Sequence, residues 1–250
     1  MHLLLDKDFY PFMKITLAHS SKFSSYKIPW LYFGSSYLKM KYCEKKLSGP
    51  KINLQQEIRS QADLQKEEFV KSFVAKTKKL KIGNGLEEGV QLGPLTTKKR
   101  LEEVEQLVEE TKKEGARVLC GGRRPAGFNK GYFYEPTIFD NVKDNFKIMT
   151  VEPFGPLSPI TTFKSFDEVI ERANNHSAGL AGYVCTSSMD LAYKTSESLE
   201  TGMVAVNTPF LSSAETPFGG IKQSGYGREG GSIGIKDYLN IKYTHLQLSG

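Results

Sequence analysis

From Lys66 onward the apolar positions recur with a readable period. Phe69, Val70, Phe73, Val74 and Thr77 return at helical spacing and predict an amphipathic helix over 66–80. Gly83 and Gly85 end it in a loop. Leu101, Val104, Leu107, Val108 and Thr111 line one face of a second predicted helix, 96–114, which Gly115 stops. Glu109 and Lys113 add a pair one turn apart on its outer side. Short strands are predicted at 116–120, 132–139, 157–163, 180–186, 203–207 and 238–245, with Pro136 marking an edge or bulge in the second. Between them, Phe166, Val169, Ile170 and Ala173 predict a helix over 166–175. Leu191, Ala192, Thr195 and Leu199 predict another, closed by Gly202. Strand and helix alternate at short spacing between 155 and 210, which is the pattern of an α/β fold on a mostly parallel sheet with flanking helices.

Before residue 65 the pattern is lost. Short apolar clusters such as 28–33 sit among Ser and Lys, with no sustained period. No Asp or Glu occurs from Phe9 to Cys43, a composition that resembles a mitochondrial transit peptide except that it lacks Arg. The expected organisation is an unmatched, poorly ordered leader at 1–64, a domain at 65–238, and a terminal strand with its tail at 239–250.

Composition narrows the function classes. The 250 residues are 39% hydrophobic and 25% charged, ordinary values for a globular protein able to bury a core. The net charge of +6 suggests nucleic acid only superficially, because Lys and Glu interleave between Lys66 and Lys113 as on a solvated helix face. No apolar run is long enough for a membrane span. Cys43, Cys120 and Cys185 are widely spaced, which points to reduced thiols and no zinc site. Cys120 and Cys185 fall in apolar strand contexts and read as core thiols. His2, His19, His176 and His245 make no triad or metal spacing.

Three segments carry candidate chemistry. The loop Asn207–Phe218 follows a buried-type strand, where α/β proteins build sites at strand carboxyl ends; its Asn, Ser and aromatic residues fit either a ligand loop or a plain surface loop. Glu152, between apolar residues ahead of a strand, could accept hydrogen bonds from a vicinal diol such as ribose; read alone, a salt-bridged loop carboxylate fits better. Gly225–Gly230 matches GxGxxG letter for letter, but no hydrophobic strand precedes it, so a dinucleotide fingerprint is rejected.

Taken together and in order, these segments resemble the C-terminal motifs of the aldehyde dehydrogenase family. They are Glu152-Pro-Phe-Gly-Pro156, Asn207 with Pro217-Phe-Gly-Gly220, and Ile221-Lys-Gln-Ser-Gly-Tyr-Gly-Arg-Glu229. Lys81-Ile-Gly-Asn-Gly85, Gly93-Pro-Leu95, Gly115-Ala-Arg-Val118 and Glu135-Pro-Thr137 add to the match, which covers about 66–248. Leu211-Ser-Ser213 and the ending Gly234–Tyr243 are similar to the succinate-semialdehyde branch.

The resemblance implies a partial catalytic domain of that family plus a C-terminal oligomerisation strand. It implies NAD or NADP as cofactor, a small semialdehyde as substrate, oxidation of aldehyde to acid, and a mitochondrial or cytoplasmic setting. By motif match, Glu152 would bind the nicotinamide ribose and Phe154 would lie beside the nicotinamide. Ser212 would hold the far carboxylate of succinate semialdehyde, and Phe218 would wall the aldehyde pocket. Residues 239–248 would pair across a subunit interface, giving a homo- or hetero-oligomer. The family's reaction needs a cysteine thiolate to attack the aldehyde and a glutamate to activate water. Its Glu-Leu-Gly-Gly and Gly-Gln-x-Cys motifs are not present in this sequence, so no catalytic residue is assigned, and the expectation is a chain inactive alone or a non-catalytic subunit pairing with a full-length enzyme.

Overall fold

The computed structural model describes the backbone of residues 2–6, 14–18 and 54–248, with side chains from residue 66 onward. Cys43 and the 28–33 cluster lie outside the described residues. Strands β1 (His2–Asp6) and β2 (Lys14–Ala18) come first, followed by helix α1 (Leu54–Thr77). Next are α2 (Lys98–Lys113), β3 (Arg117–Cys120), β4 (Thr137–Asp140) and the single turn α3 (Lys147–Thr150). Then come β5 (Leu157–Phe163), α4 (Phe166–Asn174), β6 (Ala178–Gly179) and β7 (Ala181–Cys185). The last elements are α5 (Met189–Ser198), β8 (Met203–Val206), β9 (Ile221–Lys222) and a 3-10 helix, Gly234–Tyr238.

The helix starts follow from side-chain capping. Thr97, Ser165 and Ser188 each accept a backbone N–H three residues on, from Arg100 (3.1 Å), Glu168 (3.2 Å) and Leu191 (3.3 Å). Each cap satisfies a donor that the first turn leaves orphaned, worth about 1 kcal/mol. The predicted face of α2 is the buried one: Leu101, Val104, Leu107, Val108 and Thr111 pack with Tyr134, Phe139, Phe146, Ile148 and Leu157. Each fully buried Leu or Val there contributes roughly 1.5–3 kcal/mol. The buried Thr111 hydroxyl donates to the Leu107 carbonyl at 2.7 Å, so its polarity costs little. On α1, Phe69, Val70, Phe73 and Val74 pack on Ile138 and Ile160.

Seven strands form the main sheet in the order β3-β4-β5-β1-β2-β7-β8. The ladders β4–β5, β5–β1 and β7–β8 are parallel; β3–β4, β1–β2 and β2–β7 are antiparallel. The α/β class stands, with a sheet more mixed than the alternation after residue 155 suggests. The antiparallel ladders come from edge strand β3 and from β2, which lies in the stretch where no strand period is visible.

Two further departures concern chain segments. Strand β4 begins only at Thr137, because Pro136 ahead of it has no N–H for a ladder. The strand expected at 238–245 is absent. The 3-10 helix ends at Tyr238, and 239–248 enters no ladder among the described residues. Leu239, Ile241 and Tyr243 are exposed, so the period-two pattern has no cover among the described residues. No helix among the described residues is long and apolar enough to cross a membrane.

Candidate functional site

Two loops carry the predicted site residues. The first, 151–156, joins α3 to β5. Pro153 and Pro156 are buried, and the Pro156 carbonyl accepts the Thr137 N–H at 2.8 Å, which anchors the turn to β4. Between these anchors, Phe154 has a left-handed backbone (φ 38°) and a side chain 46% exposed. A non-glycine residue there costs roughly 1 kcal/mol, a strain that displays the ring at the surface. Arg100, on the first turn of α2, sets its guanidinium over that ring, 5.3 Å from the centroid. Nothing in the local sequence links Arg100 to Phe154; the pairing comes from α2 packing beside the turn.

Glu152 sits half-buried on the same turn. Burial pushes its carboxyl up to about 7, against the opposing pull of the Arg100 charge. A carboxylate near half-ionisation at neutral pH, beside an exposed aromatic ring, suits a ligand that offers hydroxyl donors and a flat ring.

The second loop, 207–218, leaves the carboxyl end of β8, where Asn207 adopts φ 57°. It does not stay there. Leu211 and Phe218 return to pack with Leu180, Ala181 and Met203, at the amino ends of β7 and β8. Phe218 is held by a two-bond bridge to Glu229: its N–H donates to the Glu229 carbonyl at 2.6 Å, and Glu229 N–H donates back at 2.7 Å. The strand pair β6–β9 and the close approach of Gly202 to Gly219 fix the same end. Ser212 is exposed between the two anchors, and Ser213 and Thr216 hydroxyls share a hydrogen bond at 3.1 Å.

Strands β5, β7 and β8 run in one direction. The turn bearing Glu152 and Phe154 precedes β5, so both sets of residues gather at the amino ends of the strands. The second loop starts at a strand carboxyl end, as expected, but folds back along the sheet because Leu211 and Phe218 are apolar and find cover there. Across the sheet the two sets are not adjacent. β1 and β2 separate β5 from β7, three strand spacings or about 14 Å.

The cysteines divide. Cys120 is half-buried at the end of β3, its thiol pushed up by burial, as a core thiol should be. Cys185, the last residue of β7, is exposed and is not a core thiol. Gly225–Gly230 opens no helix and precedes a 3-10 turn instead; the Gly227 and Arg228 backbone wraps the Asp237 carboxylate, to which Arg228 N–H donates at 2.7 Å.

A family model described as "Aldehyde dehydrogenase family" matches residues 61–244. The chain belongs to the aldehyde dehydrogenase family. Its relatives in that family include aldehyde dehydrogenase 1A1 of Mesocricetus auratus, 45% identical over 183 residues, 73% of this chain and 36% of the relative. The mitochondrial succinate-semialdehyde dehydrogenase of Oryza sativa subsp. japonica is 40% identical over 178 residues, 71% of this chain and 33% of the relative. Among solved structures, the NAD+ complex of an aldehyde dehydrogenase from Bacillus cereus superimposes with a TM-score of 0.68 at 43% identity, covering 70% of this chain and 35% of that one. This chain spans about a third of the length of these two relatives. Family members bind NAD or NADP, and the relatives' names include cytosolic and mitochondrial enzymes.

Proposed function

We propose that this chain supplies one side of an NAD(P)-dependent aldehyde-oxidising site, with succinate semialdehyde as the aldehyde. The observation that carries the reading is the turn before β5, where a half-buried Glu152 and an exposed Phe154 ring stand together. Nicotinamide, when bound, supplies the hydride acceptor. Ionised Glu152 accepts hydrogen bonds from the ribose diol, and Phe154 gives the ring an apolar face. On the other loop, the Ser212 hydroxyl donates to the far carboxylate of the semialdehyde, while Phe218 walls its methylene chain. The family's thiolate and water-activating glutamate are assigned to no residue here, so the purified 250-residue chain is not a turnover catalyst. Removing a nucleophile of this kind costs several orders of magnitude in rate.

The test has two arms. Ligand-observed NMR with NAD+ and NADP+ should show weak binding, reduced by Glu152→Gln and by Phe154→Ala. Spectrophotometry with succinate semialdehyde should show no reduced nicotinamide above a heat-treated control. Absence of any nucleotide contact would refute the first arm, and thiol-sensitive turnover the second. The setting proposed is the mitochondrion or the cytoplasm.

A second reading is favoured by the exposed apolar residues of 239–248: a non-catalytic subunit that associates with a longer family member. Co-expression with such a member, followed by affinity capture, distinguishes the two readings.

A further inference from the structure

The middle of the main sheet is built from residues the family match does not reach. The match begins at 61, while β1 and β2 lie at His2–Asp6 and Lys14–Ala18. Between β5 and β7 the matched region supplies no strand of its own. Remove β1 and β2 and the sheet falls into β3-β4-β5 and β7-β8, each with a row of unpaired backbone groups facing a gap. Burying such groups unpaired costs about 1–3 kcal/mol each, and leaving them open invites pairing with other chains. The break would fall beside β5, whose Leu157, Ile160 and Phe163 are among the least exposed side chains of the core.

The amino-terminal strands meet both edges in register. Leu3 to Asp6 run parallel to Ile160–Phe163, and Lys14 to Ala18 run antiparallel to Cys185–Ala181. The two strands pair with each other from His2 with Leu17 to Leu5 with Lys14. Their sequences suit the place: Leu3-Leu4-Leu5 is the continuous apolar run of a central strand, and Ile15, Leu17 and Ala18 serve the second.

We propose that β1 and β2 form a sheet-completing plug. The pair joins the halves of the matched region, sets the spacing between the Glu152–Phe154 turn and the Phe218 loop, and occupies the position through which a strand of a second polypeptide would have to enter. The inference concerns the site of the proposed function but rests on sheet pairing alone, so its failure leaves the nucleotide reading standing, and the reverse.

The register offers a direct test, because Lys14 lies opposite Cys185. Antiparallel partners have Cα atoms about 4.5–5.5 Å apart, within the span a disulfide bridges. The protein has three cysteines, so Lys14→Cys in a Cys43→Ser, Cys120→Ser background leaves one possible intramolecular partner. Mild oxidation and non-reducing peptide mapping should find the link between positions 14 and 185 within single chains. Ile15→Cys, one residue out of register and therefore on the other face, should link roughly tenfold less. Failure to link while both thiols react with a maleimide overturns the proposal, as does a link found only between two copies. Hydrogen exchange on the unmodified chain guards against misfolded variants: amides of 3–6 and 15–18 should exchange on the order of 100-fold slower than unstructured peptide. Unprotected exchange there, with β5 and β7 protected, overturns it equally.

Discussion

Asn207 clasps the backbone of Thr186: its Oδ1 accepts the Thr186 N–H at 2.9 Å, and its Nδ2 donates to the Thr186 carbonyl at 2.8 Å. The clasp sits where β7 and β8 both end, and there Asn207 also takes its left-handed turn. One residue therefore closes the parallel ladder and aims the loop that carries Ser212 and Phe218. Asn is among the few side chains that tolerate this backbone while bonding a neighbouring peptide group. Asn207→Ala should lower stability by about 2–3 kcal/mol, combining two lost bonds with backbone strain. Asn207→Gly should cost less, since it relieves the strain. Equal losses in urea unfolding would show that φ has no part in the effect.

Asp140 ties three elements together. Its carboxylate, 5% exposed, lies 2.9 Å from Lys66 Nζ on α1 and 2.8 Å from Arg117 on β3. Burial would raise its pKa, but hydrogen bonds from Lys66, the Asn141 amide and Arg117 outweigh burial and hold the carboxyl below its ordinary value. A depressed folded pKa means stability present above the unfolded value and lost as pH falls through the folded one. Asp140→Asn should therefore cost on the order of 2 kcal/mol near neutral pH, with the gap to wild type closing below about pH 4. Most of that loss belongs to the Lys66 contact, because Arg117 is largely exposed. A gap that persists unchanged in acid would point to packing rather than charge.

Glu152 has the opposite sign. Its folded pKa is raised to about 7, so ionisation disfavours the folded state, and stability declines as pH rises from the unfolded value towards 7. Glu152→Gln mimics the protonated form. It should raise the melting temperature at about pH 8 and leave it nearly unchanged at about pH 5. Nucleotide binding should move the other way in wild type, strengthening as the carboxylate ionises and becomes a pure acceptor. If the variant melts earlier than wild type at alkaline pH, Glu152 makes a structural contact that outweighs its desolvation.

Strand β5 spans Leu157–Phe163, the bounds its apolar run predicts, and α2, α4, β7 and β8 lie within two residues of expectation. These elements declare themselves because each buries a local, periodic stripe. Helix α1 begins at Leu54, ahead of the predicted start at 66, and Phe69, Val70, Phe73 and Val74 of its second half pack on Ile138 and Ile160. The strands β1 and β2 show no periodic stripe: the short run Leu3-Leu4-Leu5 suits a central strand without specifying one, and the pairing of Leu4 with Thr161 and Thr16 with Tyr183, set that far along the chain, leaves no mark on a five-residue window. The candidate residues Glu152, Phe154, Ser212 and Phe218 can be named from the sequence, but where the fold places them cannot. That the Phe218 loop returns to the amino ends depends on Leu180 and Met203 being uncovered there, and that Arg100 meets Phe154 depends on how α2 packs. Both are tertiary facts.

The terminal segment supplies the last test. After Tyr238 the backbone is extended at Leu239 (φ −114°, ψ 140°), and apolar Leu239, Ile241 and Tyr243 alternate with Asn240, Lys242 and Thr244. Their exposures of 61%, 101% and 84% leave a strand-like stripe that, among the described residues, touches only its own neighbour, through the Tyr243 hydroxyl and His245 Nδ1 at 3.3 Å. A stripe of that period is half of a sheet surface, and a second copy offers the same unpaired backbone and the same apolar side chains. Light scattering with size exclusion should find the 250-residue chain as a dimer or larger at tens of micromolar. Ile241→Lys with Tyr243→Lys should shift it towards monomer, since losing two buried anchors of roughly 1.5–3 kcal/mol each weakens association by a hundredfold or more. Far-ultraviolet dichroism should stay the same, because neither side chain belongs to the core. A wild-type chain that elutes as a monomer at that concentration would remove the pairing role from 239–248. An oligomer that survives both lysines would assign the interface to another surface.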